Sequence, residues 1–303
     1  MEQQLIDWLR EQLPAHPRVR LGIGDDAAVL AWGQQAGCVV TTDLLTEGVD
    51  FLLPQDDPLR IGRKALAVNL SDLAAMAARP VAAVVSLALP RHGAQELGLA
   101  LYRGILPLAA EFELPIAGGD TNTWDGPLVI SVTAIGETTE RGPLLRSGAV
   151  AGDAIVVTGD FGGSILESQF TFTPRVQEAL ALHARHTLHA ATDVSDGLSL
   201  DLGHIMQASQ CGAEVHLASL PLAPSAEIVA SRSGRLPWEH ALTDGEDFEL
   251  ILAVPEASVG ALLSERVGGT SLTRIGTFTE QPGLQLIHPD GSRQDFEPAG
   301  YQH

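Results

Sequence analysis

The sequence predicts an α/β protein made of two halves of similar length. Segments with strand-like alternation of polar and apolar residues are separated by amphipathic helical segments, and this order restarts after residue 150. The segment Thr138 to Pro143, which contains glycine and proline, interrupts the two series. At 303 residues the chain is long enough for two ordinary domains. We therefore expect domains at residues 1–140 and 141–303.

The first half begins with a helical pattern from Leu5 to Leu13, which Pro14 ends. The strand expected at 128–135 is the clearest element here, because Ser131 and Thr133 alternate with apolar residues. The other elements expected in this half are strands at 27–32 and 38–43, a helix at 58–78 broken near 69–71, a strand at 81–89, a helix at 94–113 and a short strand at 114–117.

The second half shows a regular alternation of strands and helices, which is typical of an α/β domain. The expected strands are at 153–159, 190–194, 213–217, 248–254 and 271–278. The expected helices are near 163–170, 175–187, 199–209, 225–233 and 256–266. One pattern occurs in both halves: a Ser-Asp pair, Ser71-Asp72 and Ser195-Asp196, precedes an apolar helical segment. Asp72 is therefore expected at a helix start, where a carboxylate caps the helix.

Composition limits the possible partners and the compartment. The formal net charge of −20 argues against nucleic-acid binding, which requires a basic surface. An acidic protein can still bind a nucleotide if metal ions supply the positive charge. Cys38 and Cys211 lack metal-type spacing and read as buried free thiols in a reducing compartment. The N-terminus lacks the pattern of a signal peptide, and no apolar stretch approaches the ~20 residues of a membrane helix. We expect a cytoplasmic protein that does not contact a membrane.

Most of the residues that suggest chemistry are carboxylates beside glycine or at the ends of elements. Any one of these segments is explained by a turn, a strand end or a helix cap. Together they are harder to dismiss, since adjacent carboxylates repel unless cations or hydrogen-bond donors neutralise them. Magnesium explains the set, because it takes oxygen ligands and bridges carboxylates to phosphates. The segments are GIGDDAAVL (22–30), TTDLLTEGVDF (41–51), Asp72, IAGGDTN (116–122), ATDVSDGLSLDL (191–202) and DGEDFELIL (244–252).

Several nucleotide and metal sites are excluded by what the sequence lacks. The ten histidines form no HExxH or histidine–cysteine pattern, so zinc is disfavoured. There is no GxxxxGK[ST] segment, and Lys64 is the only lysine in the chain, which excludes a P-loop kinase. We expect Lys64 on a helix surface. The dinucleotide-binding GxGxxG and the GxSxG nucleophile elbow are also absent.

In their order along the chain, these segments resemble the thiamine-monophosphate kinase family. That family lies in a superfamily with aminoimidazole ribonucleotide synthetase and selenophosphate synthetase. The resemblance spans nearly the whole chain, and the ordered set is far more specific than any single segment. The matching segments are GIGDDAAVL, TTDLLTEGVDF, RKALAVNLSDLAAMAARP (63–80), GGDTN, RSGAVAGDAIVVTG (146–159), ATDVSDGL, GEDFEL and GYQH (300–303).

The resemblance implies a site assembled from both halves. It implies that several magnesium ions are held by Asp26, Thr41, Thr42, Asp43, Asp72, Asp120, Asp193 and Asp196. Within that set, the expected catalytic carboxylates are Asp43, Asp120 and Asp196. Contacts to ATP are implied for Tyr102, Gly119, Asp120, Arg146 and Ser195. Contacts to thiamine monophosphate are implied for Asp50, Glu246 and Tyr301, with Tyr301 stacking on the pyrimidine ring. Asp50 stands where the family usually has histidine, which puts the identity of the substrate in question.

The resemblance also implies an activity and an assembly. The implied reaction transfers the γ-phosphoryl group of ATP directly, in line, onto thiamine monophosphate and gives thiamine diphosphate. The implied assembly is a homodimer whose N-terminal halves join a mixed sheet into one β-barrel, with a C-terminal α/β half attached. Two alternatives stay open. One is another ATP-dependent enzyme of the superfamily acting on a different small substrate, and the other is a non-catalytic nucleotide-binding regulator.

Overall fold

The computed structural model describes residues 19–21, 25–32 and 36–301. The helix expected from Leu5 to Leu13 lies outside these residues, as do the last two residues of the GYQH segment. The N-terminal half contains strands β1 Val19–Leu21, β2 Ala28–Trp32, β3 Ala36–Thr46, β4 Arg79–Pro90, β5 Ile116–Trp124 and β6 Val129–Glu137, with helices α1 Pro58–Ala75 and α2 Ala94–Glu111.

The six strands of the N-terminal half form one mixed sheet in the order β1-β2-β3-β6-β4-β5. Strands β4 and β5 are parallel, and the other neighbours are antiparallel. Alternate residues of β6 are buried, as the alternating sequence at 128–135 predicts. The mixed sheet expected for this half is confirmed.

Helix α1 starts where its sequence indicates but does not break where we expected. Asp57 caps it, because its Oδ1 accepts a hydrogen bond of 2.9 Å from the N–H of Leu59, and Pro58 follows at the first helical position. The helix then continues through Asn69, whose side-chain N–H donates to the carbonyl of Ala65 at 3.1 Å. The predicted break near 69–71 is therefore wrong, and Asp72 lies in the last turn of α1 rather than at a helix start.

Strand β5 is longer than its sequence suggested. The prediction placed a short strand at 114–117, and a turn was one of the readings of the glycines after it, but β5 runs through Gly118, Gly119 and Asp120 to Trp124. A Cβ on Gly119 would lie 1.8 Å from the carbonyl oxygen of Val85 in β4. Only glycine allows the two backbones to come this close, so the glycines belong to strand pairing rather than to a turn.

The C-terminal half forms a seven-stranded mixed sheet in the order β13-β12-β9-β11-β7-β10-β8. Its strands are β7 Ala154–Thr158, β8 Ala190–Asp193, β9 Gly212–His216, β10 Leu250–Val254, β11 Leu272–Thr279, β12 Leu284–Ile287 and β13 Arg293–Phe296. Its helices are α3 Ser168–Thr171, α4 Val176–Arg185, α5 Leu198–Ser209, α6 Pro224–Ser233, α7 Pro237–Thr243 and α8 Glu256–Leu263. The α/β class is confirmed, although β12, β13 and α7 were not predicted.

Helix α1 connects the two halves. It packs against β3 and β6 of the N-terminal sheet and also against α4 and β8 of the C-terminal half. One hydrophobic core consequently includes residues of both halves, such as Leu66 in α1 and Leu252 in β10. Polar residues on α1 therefore lie between the two sheets, where carboxylates from both halves can meet.

Two smaller expectations concern the thiols and the membrane. Cys38 and Cys211 are buried and free, as predicted. None of the helices that the structure describes is long and apolar enough to cross a membrane.

Candidate active site

Three carboxylates from three separate elements meet at the junction of the halves. Asp26 lies two residues before the start of β2, Asp72 lies in the last turn of α1, and Asp193 ends β8. One carboxylate oxygen from each falls within 4.8 Å of the other two, so the group could hold a metal ion. They are 46 or more positions apart in the chain, and only the tertiary fold brings them together.

Asp26 is held by cationic and hydroxyl donors. Nη2 of Arg146 lies 2.6 Å from Oδ1 of Asp26, and Nε lies 3.2 Å from Oδ2, which makes a two-point ion pair. The hydroxyl of Thr192 donates to Oδ1 of Asp26 at 3.0 Å. Arg146, which the family resemblance assigns to ATP, thus lies beside the expected metal ligands.

The other two carboxylates accept hydrogen bonds from neighbouring hydroxyls. Thr41 in β3 donates through Oγ1 to Asp72, and Ser71 in α1 donates through Oγ to Asp193. Each bond joins two elements, β3 to α1 and α1 to β8. Ser71 of the Ser-Asp pair at 71–72 therefore supports Asp193, although the sequence identified only the aspartate of that pair as a site residue.

Burial and mutual repulsion make the ionised forms of these acids unfavourable without a cation. Burial raises the pKa of Asp72 well above its usual value, and Asp43, Asp193 and Asp26 raise it further. Burial and the charge of Asp26 likewise raise the pKa of Asp193 well above its usual value. Clustered carboxylates with raised pKa values are expected where a bound cation normally supplies the missing positive charge.

Asp43 adds a fourth carboxylate on the same face of β3 as Thr41. Its atom Oδ2 is buried and has no hydrogen-bond partner among the described residues. Burial and the nearby charge of Asp50 raise the pKa of Asp43 to about 6. A buried carboxylate oxygen without a donor is unfavourable unless a ligand satisfies it. The magnesium ion expected from the sequence takes oxygen ligands and would satisfy this carboxylate oxygen.

Two of the expected metal residues lie elsewhere. Thr42 follows Thr41 on β3, so its side chain lies on the opposite face of the strand, where it donates to the carbonyl of Val132 at 3.1 Å. Asp120 is exposed on β5, and its Oδ1 accepts the N–H of Thr121 at 2.9 Å. The structure does not bring either side chain into the group formed by Asp26, Asp72 and Asp193.

Asp50 folds back onto the turn that contains it. Its Oδ2 accepts the N–H of Thr46 at 2.6 Å, while its own N–H donates to the carbonyl of Thr46 at 3.0 Å. The carboxylate thus closes a turn after β3, close enough to Asp43 to raise the pKa of that acid.

Lys64 is buried, contrary to our expectation from the sequence. We predicted it on a helix surface, but its side chain is 1% exposed. Its Nζ lies 2.5 Å from Oε1 of Glu246 and donates to the carbonyl of Asp50 at 2.9 Å. Both partners are residues that the family resemblance places at the substrate. Sequence reasoning missed this role. The available signal was that the only lysine of the chain directly precedes the apolar run 65–68 of a predicted helix.

The remaining expected residues lie on loops that contact one another. The N–H of Glu246 donates to the carbonyl of Ser195 at 2.7 Å, and the N–H of Tyr301 donates to the carbonyl of Asp196 at 2.8 Å. The end of the described chain thereby lies against the loop that contains Ser195 and Asp196. Tyr102, by contrast, is in α2 and packs against the hydrophobic core.

Asp25 also lies beside the site and was not predicted as a site residue. Its carboxylate accepts the backbone N–H of Arg146 at 3.2 Å. Burial and the charge of Asp26 raise its pKa to about 7. The signal available in the sequence was its position beside Asp26 in the acidic pair of GIGDDAAVL.

Comparison with known proteins agrees with this fold. Residues 24–138 match the N-terminal domain family described as AIR synthase related protein, and residues 150–289 match the corresponding C-terminal domain. The chain is 44% identical to a thiamine-monophosphate kinase of Rhodopirellula baltica over 100% of this chain and 97% of that protein. It is 37% identical to a thiamine-monophosphate kinase of Escherichia coli K12, over 94% of this chain and 92% of that protein.

A solved structure shows the same architecture. AaThiL complexed with AMPPCP and TMP matches with a TM-score of 0.86 and 28% identity, covering 100% of this chain and 96% of that one. Two mixed sheets with an acidic group at their junction define this chain as an AIR synthase-related protein. Within that class, the chain belongs to the thiamine-monophosphate kinase family. The prediction of an enzyme of the thiamine-phosphate kinase type is thereby confirmed.

Proposed function

We propose that the protein transfers the γ-phosphoryl group of ATP onto thiamine monophosphate, giving thiamine diphosphate and ADP. The main supporting observation is the group of carboxylates of Asp26, Asp72 and Asp193 at the junction of the halves, beside the buried, unsatisfied oxygen of Asp43. The names of the relatives and the ligands of AaThiL, an ATP analogue abbreviated AMPPCP and TMP, support the choice of nucleotide and acceptor.

The residues present fit magnesium. Asp26, Asp43, Asp72 and Asp193 supply hard carboxylate oxygens, and no soft ligand such as a thiolate belongs to the group. When bound there, magnesium would reduce the repulsion between two polyanionic substrates and neutralise charge on the transferred phosphoryl group. Thr41 and Ser71 would keep Asp72 and Asp193 oriented by their hydrogen bonds. Asp120, Asp196 and Thr42 stay in the proposed ligand set on the family resemblance alone.

The transfer needs no general base in this proposal. The second pKa of a phosphate monoester is about 6, so the acceptor is mostly ionised at neutral pH. What remains is to hold the acceptor oxygen in line with the leaving oxygen. We assign Arg146, Ser195, Gly119 and Tyr102 to the nucleotide, with Arg146 poised by its ion pair to Asp26. The thiamine moiety would lie between Asp50, Glu246 and Tyr301.

We also propose a homodimer formed through the N-terminal sheet. On the face of β3 that points away from α1, Leu44 is 63% exposed, and it lies opposite the polar Ser131 of β6. Strand β5 at the sheet edge is exposed along nearly its whole length, and Trp124 at its end is 43% exposed. An uncovered sheet face with an exposed leucine and a free edge favours pairing with another sheet, and a second copy of this chain provides one.

The decisive experiment mixes the purified protein with ATP, magnesium and thiamine monophosphate and follows thiamine diphosphate by chromatography. We expect stoichiometric formation of thiamine diphosphate and ADP that stops when EDTA removes the metal. Omitting thiamine monophosphate distinguishes transfer from simple ATP hydrolysis. ADP formation that is independent of thiamine monophosphate, or no turnover at saturating ATP and magnesium, would refute the proposed function.

A further inference from the structure

Lys64 is a buried cation whose hydrogen-bonding capacity is fully used. Its Nζ contacts the carbonyl of Asp50 at 2.9 Å, Oε1 of Gln169 at 2.7 Å and Oε1 of Glu246 at 2.5 Å. It also lies 5.1 Å from the centre of the Phe170 ring. An ammonium group has three N–H donors, so three acceptors satisfy it completely. Burying a lysine is costly unless it is paired in this way.

The three acceptors belong to three separate segments. Asp50 lies in the turn after β3, Gln169 lies in α3, and Glu246 lies in the loop that precedes β10. Lys64 itself is in α1, the helix that connects the halves. The side chain therefore fixes, at one point, segments of both halves on the substrate side of the proposed site.

Glu246 is fixed at its backbone as well as at its side chain. It has a φ of 56°, which is the left-handed region and rare for a residue other than glycine. Its N–H donates to the carbonyl of Ser195, the residue assigned to the nucleotide. Its carboxylate stays 31% exposed although Lys64 holds Oε1. Glu246 thus combines a strained backbone, a hydrogen bond and an ion pair that fix it, and an accessible carboxylate. This combination is typical of a binding site rather than of a packing contact.

We propose that Lys64 is a positioning residue that orients the Glu246 carboxylate to accept a hydrogen bond from the aminopyrimidine of the substrate, and thereby sets specificity for that ring. This inference rests on the proposed function. Lys64 occupies Oε1 and offsets the negative charge, so Oε2 acts as an oriented acceptor more than as a free charge. A site built to accept an N–H strongly rejects an analogue that presents an oxygen there, because two acceptors then face each other.

The test compares thiamine monophosphate with oxythiamine monophosphate, in which an oxygen replaces the amino group. Wild-type protein should prefer thiamine monophosphate in kcat/KM by about tenfold or more. Lys64→Met keeps most of the length of the side chain but removes the N–H donors. It should raise KM for thiamine monophosphate about tenfold, leave KM for ATP within about twofold, and bring the preference close to one.

Two further variants separate positioning from stability. Leu262→Ala removes buried volume from α8, which holds none of the assigned residues, and should lower the melting temperature without changing the preference. Glu246→Gln should reduce the preference, and adding Lys64→Met to it should reduce the preference little further, since both changes act through one contact. Additive effects would overturn the inference.

The outcome for the proposed function is read independently. If wild type makes no thiamine diphosphate, the proposed function fails, and this inference fails with it. If wild type is active but Lys64→Met keeps the full preference for thiamine monophosphate, only the inference is overturned. The inference is also overturned if Lys64→Met lowers kcat/KM for both substrates by the same factor, because a loss of stability alone would have that effect.

Discussion

At the scale of single residues, Asp43 has the clearest energetic consequence. Its buried Oδ2 lacks a donor, and its pKa is raised by burial and by Asp50. Asp43→Asn should lower turnover by at least about 100-fold, because a cation ligand is lost. The same change should raise the melting temperature of the metal-free protein by a few degrees, because it removes a repelling charge.

Asp125→Asn is the matched control for this prediction. Asp125 is 81% exposed and pairs with Arg91 outside the acidic group, so both turnover and melting temperature should stay near wild type. Turnover like wild type in Asp43→Asn at limiting magnesium would remove Asp43 from the proposed ligands.

Asp50, which stands in place of the usual histidine, offers a second test at this scale. Its carboxylate closes the turn on Thr46 and lies near Asp43. Asp50→His should keep the protein active and change mainly KM for thiamine monophosphate, because the nucleotide residues lie on other elements. Asp50→Asn keeps a side-chain oxygen that can accept the N–H of Thr46, so it preserves the turn and removes only the negative charge. A loss of kcat in both variants with KM unchanged would contradict a substrate-side role.

At the scale of elements, α1 has the largest influence, because it holds Lys64, Ser71 and Asp72 between the two sheets. Its start depends on Asp57, whose Oδ1 accepts the N–H of Leu59. Asp57→Ala should lower the free energy of unfolding by about 1 kcal/mol, measured by urea denaturation. Asp57→Ser, which preserves a capping oxygen, should recover most of that loss. Equal stability of the alanine and serine variants would show that the cap contributes nothing.

At the scale of the whole molecule, the acidic group predicts how stability depends on pH. The pKa of Asp43 is about 6 in the folded protein against an ordinary 3.8, so the folded state binds more protons than the unfolded state between these values. Without metal, the stability should therefore fall as pH rises from about 4 to about 6. Asp25, with a pKa of about 7, extends the fall slightly higher.

Magnesium should oppose this trend, because it binds the ionised carboxylates. The rise in melting temperature on adding magnesium should be larger at pH 8 than at pH 5. Thermal melts of wild type and Asp43→Asn, with EDTA or with magnesium, measure both effects. The metal-free difference between the two proteins should shrink at low pH. A magnesium effect independent of pH would argue against carboxylate ligands.

The proposed homodimer is a second prediction at this scale. Leu44→Lys places a charge on the exposed face of the N-terminal sheet and should shift the protein toward monomer in light scattering coupled to size exclusion. Leu236→Lys is the control, since Leu236 is 54% exposed but lies in the C-terminal half before α7. A wild-type monomer at micromolar concentration would contradict the proposed assembly.

The sequence alone determined the α/β class, the division into two α/β halves and the family, because alternation and local motifs are encoded in neighbouring residues. It could identify Asp26, Asp72 and Asp193 separately, since each lies in a recognisable segment. Their convergence within 4.8 Å was decided by the tertiary structure, because it depends on how α1 packs between the two sheets. The same packing buries Lys64, although a lysine is rarely buried and we expected it on a helix surface. Local pattern also failed to predict the extent of β5, since its pairing with β4 continues the strand through Gly118 and Gly119, which the sequence allowed to be a turn.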